Sequence, residues 1–185
     1  MTTETLVLPP RPSRPAALPD PGTYRARPGR CVFEICAALG PLTTLRGRFA
    51  VLDSRLVVDA DESRTHLTVE ASAASLRTTR PLATRHLTGR RGLAARRRRS
   101  VRFESTGLET GGSPERLSIP GMLYLRDAPV PVTLSTRVVG RGHARLLVLG
   151  RGEVHYSALR AACDVRLPWS VPTGRVRLLL AADFR

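Results

Sequence analysis

Lysine is absent from this chain: all 30 basic residues are arginine, set against only 15 acids, for a formal charge of +15. Phosphate-binding surfaces ordinarily recruit both cations, so the missing lysine points first to a coding bias towards arginine. The net charge still creates a field that draws in nucleic acid and anionic head groups. Aromatic residues make up 4% of the chain, and none lies within the densest arginine run. That scarcity argues against nucleic acid, because strand binding relies on base stacking.

Long apolar runs are also missing. No segment approaches the roughly 20 residues a membrane-spanning helix needs. The start, MTTETLVLPP, carries an acid and only a three-residue apolar run, Leu6–Leu8, unlike a secretory signal. The expected location is therefore cytoplasmic. The three cysteines, Cys31, Cys36 and Cys163, form no CxxC pair, as expected of reduced structural thiols. Cys31 and Cys36 stand five apart, so on one strand they face opposite sides and cannot bridge.

Reactive motifs are wanting as well. Four dispersed histidines give neither HxH nor HExxH, so no metal and no cofactor is expected. No GxSxG elbow, cysteine–histidine pair or carboxylate pair occurs in a recognisable block. The glycines of Gly140–Gly142 and Gly150–Gly152 fit neither a dinucleotide nor a P-loop pattern and read as hairpin turns. The expectation is a protein that is not an enzyme.

What is present is alternation. Leu117, Ile119, Gly121, Leu123 and Leu125 recur at every second position. After Pro129 and Pro131 a second run follows: Val132, Leu134, Thr136, Val138. Together they predict a hairpin with one apolar face per strand. Similar runs hold Phe33, Ile35 and Ala37; Leu45, Gly47, Phe49 and Val51; Leu56 and Val58; Leu67, Val69, Ala71 and Ala73. Further strands are expected at Val101, 144–150, 153–157 and 176–182. Eight to ten short strands with frequent turn signals predict an all-β, single antiparallel eight-stranded barrel. Residues 76–99 break the alternation and read as a long loop with a short helix over one barrel end. Residues 1–21 are proline-rich and read as a flexible leader, with the barrel domain at 22–185. Trp169, between two prolines, is placed at a barrel end.

Several of these segments together resemble the YceI-like family. They are Phe33-x-Ile35-x-Ala37, Leu45-Arg46-Gly47-Arg48-Phe49, Ala74-Ser75-Leu76-Arg77-Thr78, Arg85-His86-Leu87, Val101-x-Phe103-x-Ser105-Thr106, Gly121-x-Leu123 and Pro131-Val132-x-Leu134. The resemblance spans about residues 23–183. It implies an extended lipocalin-like barrel that holds a polyisoprenoid or other amphiphilic chain, without enzymatic activity. Many members are exported, and a chain without a leader looks like the cytoplasmic branch. The family's acidic and aromatic segment after His-Leu is replaced by Arg91-Gly92-Leu93-Ala94, its later proline by Arg99, and its Arg-Asp before the pair by Ala83-Thr84.

On that basis Phe33, Ile35, Leu45, Phe49, Leu67, Val69, Phe103, Leu123 and Leu125 are expected to line a cavity for a polyisoprenoid, quinone-type or fatty-acyl ligand. Small inward residues such as Ala37, Gly47, Ala71, Ala73 and Gly121 are expected to leave room for it. Arg85, His86, Arg90 and Arg91 are expected to meet its polar head. The run Arg96–Arg99 has two readings beyond a solvated loop: it binds an anionic head group, or it docks an acidic partner or nucleic acid while the barrel serves as scaffold. Salt separates these, since ionic docking weakens with added salt and apolar burial does not. The sequence leaves a homodimer open.

Overall fold

The computed structural model describes residues 18–39, 42–61, 64–97, 100–110, 115–142, 145–163 and 174–185. Trp169, Arg98, Arg99 and the first 17 residues of the expected leader lie outside them. At the end of that leader, Leu18 is buried in the core and the Tyr24 hydroxyl donates to the Asp20 carbonyl at 2.8 Å.

The strands are β1 (Gly22–Leu39), β2 (Leu42–Phe49), β3 (Val51–Val58), β4 (His66–Ser72), β5 (Arg77–Thr78), β6 (Ser100–Ser105), β7 (Glu109–Thr110), β8 (Arg116–Leu125), β9 (Ala128–Gly142), β10 (Arg145–His155) and β11 (Arg175–Phe184). Two helices, α1 (Pro81–Thr88) and α2 (Tyr156–Cys163), complete the order. Antiparallel pairing runs β11-β10-β9-β8-β6-β4-β3-β1, and β1 then pairs with β11. These eight strands close on themselves, as the alternation predicted. β2 continues the line of β3, pairs with the far half of β1, and carries β5 on its outer edge.

Alternation sets the faces. β8 buries Leu117, Ile119, Gly121, Leu123 and Leu125 in turn, and β9 opposes them with Val130, Val132, Leu134 and Thr136. Their hairpin turns on Arg126 and Asp127, with φ of +53° and +67°. Two left-handed residues make the primed turn whose twist matches paired strands. Pro129 and Pro131 sit on the part of β9 that β10 does not pair, where a missing N–H costs no ladder bond.

Two expectations are corrected. Gly150 and Gly152 are not turn residues: both lie inside β10, paired with Thr136 and Leu134 on one side and Leu180 and Leu178 on the other. Strand also ends at His155, and Tyr156 and Ser157 open α2. A helix of eight residues following directly on a strand leaves too little periodicity to separate from alternation.

One half of the barrel is filled. Tyr24, Leu56 and Leu67 are register neighbours across β1, β3 and β4, and Phe184 lies between Ala26 and Leu146. All are buried. The expected space at Gly121 is taken, because a Cβ there would lie 2.7 Å from the Phe103 ring and 2.4 Å from the Glu104 carbonyl oxygen. At Gly47 the neighbours are Leu76 at 3.0 Å and Ile35 at 3.1 Å. These small residues admit large neighbours rather than a ligand.

The seam between first and last strands carries an ionic clasp. Asp183 accepts from Arg145 Nε at 2.7 Å and Nη2 at 3.0 Å, and from Arg30 Nη1 at 2.7 Å. Arg185 stands 3.6 Å away. The Arg145 and Arg30 hydrogen bonds hold this carboxyl far below the ordinary carboxylate range. A depressed folded pKa contributes stability that is full above the unfolded value and is lost as pH falls through it. Urea melts should therefore show the wild type losing stability below about pH 4 while Asp183→Asn, already less stable at pH 7, changes less over the same window. Gly121→Ala should cost about 1–3 kcal/mol or more through overpacking against Phe103, read as a lower urea midpoint at unchanged slope.

Candidate functional site

A cavity of about 70 Å³ remains in the other half of the barrel. Strand side chains Phe33, Ile35, Ala37, Leu45, Phe49, Val101, Leu123, Leu125, Val176 and Leu178 surround it. Leu76, Leu87 and Leu93 close it from the segment between β4 and β6, and Tyr156, Leu159 and Cys163 from α2. Phe33 and Phe49 stack with tilted rings, 5.6 Å between centroids. Both helices lie at this end, because α1 precedes the start of β6 and α2 follows the end of β10.

Six of the nine apolar residues expected from sequence meet here: Phe33, Ile35, Leu45, Phe49, Leu123 and Leu125. Leu67, Val69 and Phe103 are buried in the same core but belong to its filled part. Sequence reasoning missed the contributions of α1 and α2. Leu87 and Leu93 carried a signal, being apolar residues in an otherwise polar stretch; Tyr156, Leu159 and Cys163 have helical spacing of three and four but were hidden by the strand before them.

The segment from α1 to residue 97 forms a lid with two faces. Pro81 occupies the first helical position. The Thr84 hydroxyl, where the family pattern has an acid, accepts from the Thr78 amide at 2.9 Å and lies 2.9 Å from the Thr78 hydroxyl, fastening α1 to β5. Ala83, its neighbour, is 1% exposed. Beyond the helix, Leu93 N–H donates to the Leu87 carbonyl at 2.7 Å, Ala94 to Gly89 at 2.9 Å and Ala95 to Thr88 at 3.0 Å. Gly92 makes this fold-back feasible, since a Cβ there would sit 2.1 Å from the Leu87 carbonyl oxygen. The inner face is thus Ala83, Leu87, Leu93 and Ala95.

The outer face gathers the four expected polar contacts. Arg85, His86, Arg90 and Arg91 line an open surface depression of about 430 Å³ with Leu82 and Gly89. None of the four borders the apolar cavity. His86 Nε2 is buried with no hydrogen-bond partner among the described residues.

Of the cysteines, Cys31 faces the core, Cys36 borders an outer groove and Cys163 the cavity, and none is in a disulfide. Burial pushes the Cys31 thiol up to about 11, partly offset by the Ser54 hydroxyl. Among the described residues no three His, Cys, Asp or Glu side chains converge as metal ligands.

Comparison with known proteins agrees with this geometry. The YceI-like domain matches residues 27–169. The chain belongs to that family. Among solved structures it is similar to BcnA of Burkholderia cenocepacia, at 15% identity and a TM-score of 0.70, covering 86% of this chain and 99% of that one. The YCEI protein of Campylobacter jejuni is similar at 17% identity and a TM-score of 0.61, covering 79% and 87%. A polyisoprenoid binding domain from Saccharophagus degradans is similar at 10% identity and a TM-score of 0.58, covering 88% and 97%. At these identities the likeness shows the fold. No curated protein matches the sequence.

Because Leu87 joins lid to cavity, Leu87→Ala should destabilise the protein by about 2–5 kcal/mol and enlarge the apolar space. Thermal melts check the first effect, and tighter binding of a small apolar probe such as benzene the second.

Proposed function

We propose that this YceI-like barrel is a non-enzymatic binding protein for a hydrophobic or amphiphilic chain molecule, of the polyisoprenoid, quinone-type or fatty-acyl class, held in its lidded half. The observation that carries this reading is the cavity lined by apolar side chains from five strands of the barrel and both helices. The family and the polyisoprenoid binding domain among its structural neighbours support it.

Physical scale shapes the mechanism. A volume of 70 Å³ is less than a lipid chain requires. Loading therefore needs the lining to part, and the parts held by fewest strand bonds are α1 and α2. Each methylene buried contributes about 0.8 kcal/mol, so a chain of a few isoprene units can offset the cost of displacing a helix. Affinity then follows chain length more than head group. Among the described residues no polar side chain apart from those of Tyr156 and Cys163 borders the cavity, so a ligand's head is left near the lid.

Native mass spectrometry with organic extraction tests the reading. The wild type, purified from cells or incubated with a long-chain prenol, should retain lipid. Ile35→Trp should fill the cavity and lose at least tenfold in prenol affinity while near-ultraviolet circular dichroism shows a folded core. Failure of the wild type to retain any lipid under both conditions would sink the proposal.

A further inference from the structure

Between Glu70 and Glu104 the chain carries ten arginines and not one acid. On the lid, Arg85, Arg90, Arg91, Arg96 and Arg97 are exposed, and Leu82 stands among them 68% exposed. None of these five forms an ion pair among the described residues. Elsewhere on the barrel some arginines lie beside acids, Arg46 with Glu34 at 3.3 Å, Arg102 with Glu104 at 3.0 Å and Arg175 with Glu153 at 2.8 Å, whereas the stretch around the lid has no acid in its own sequence. The lid is therefore a region of uncompensated positive charge, with an exposed leucine beside Arg85, Arg90 and Arg91 and the apolar cavity behind it.

We infer that the outer face of the lid docks the barrel, mouth first, on an anionic lipid bilayer. Guanidinium groups pair with head-group phosphates while their stems and Leu82 enter the boundary with the acyl region. Nucleic acid fits less well. No aromatic residue lies between Leu76 and Arg102 to stack a base, and an exposed leucine gains nothing against phosphate and sugar. The depression walled by Arg85, Arg90 and Arg91 is shallow and open, suited to a plane of head groups. The purpose of such contact, exchange of a chain between bilayer and cavity, rests on the lumenal binding proposed above; the contact itself does not.

Vesicle flotation separates the two. The probe is phosphatidylcholine vesicles with or without 30% phosphatidylglycerol, at low and moderate salt. The wild type should float with the anionic vesicles only, less so as salt rises. Each arginine near an anionic surface is about a fivefold effect, so replacing Arg85, Arg90 and Arg91 by serine should lower partitioning about a hundredfold. Leu82→Ser should weaken it at every salt concentration. The control carries the same charge change at the far end of the barrel, Arg27→Ser, Arg55→Ser and Arg116→Ser, and should keep most binding. Circular dichroism melts establish that every variant is folded. An equal loss in the control would reduce the effect to net charge. Absence of flotation, or tight binding to a single-stranded oligonucleotide without any to vesicles, would overturn the inference. Loss of prenol binding with flotation intact would instead fault only the lumenal reading.

Discussion

Closure of the sheet is the constraint on which the rest of this molecule depends. Eight antiparallel strands leave no unpaired edge only because β1 and β11, the first and last, find one another. Backbone pairing over a separation this long is entropically expensive to form. Its register slips between Ala26 and Cys31, and near that irregularity Asp183 draws in Arg30 from β1, Arg145 from β10 and Arg185 from its own strand end. The carboxylate is 8% exposed, and its charge is matched by more than one cation. A partly desolvated ion so surrounded fixes one register against its neighbours.

With the wall fixed, side-chain size divides the interior. Phe103 over Gly121 and the Tyr24, Leu56, Leu67 layer make one half a solid core, comparable to small barrels filled by their own residues. The other half is roofed rather than filled, and its roof comes from two short helices instead of from strands. Short helices of this length have little stability of their own. They hold their place through Leu87, Leu93 and Leu159 below and through the Thr78–Thr84 bonds at the side. Enclosure and access therefore fall to the same elements, and the charge on their outer surface faces whatever the mouth faces.

Much of the barrel was legible beforehand because a strand's side chains alternate with a period of two whatever lies far away in sequence. Leu117 to Leu125 could be read as one inward face from spacing alone. Six of the cavity residues followed from the same rule. The misread parts share a cause. Gly121 and Gly47 are small in sequence whether the space beside them is empty or taken, and only neighbours from β6 and β1 or from Leu76 decide which. Gly150 and Gly152 look like punctuation until the strands on both sides are known to crowd them. Tyr156 to Cys163 is too short a helix to declare itself after an alternating run.

Composition and periodicity alone thus determined an arginine-only basic chain, its alternating strands and a basic interruption between them, since these are properties of neighbours along the backbone. Which strands meet, which half of the tube is filled, and that Arg85, Arg90 and Arg91 face outward while Leu87 and Leu93 face the cavity were decided by tertiary structure. The physical reason is that a side chain's direction is local, but the occupancy of the space it points into depends on residues tens of positions away.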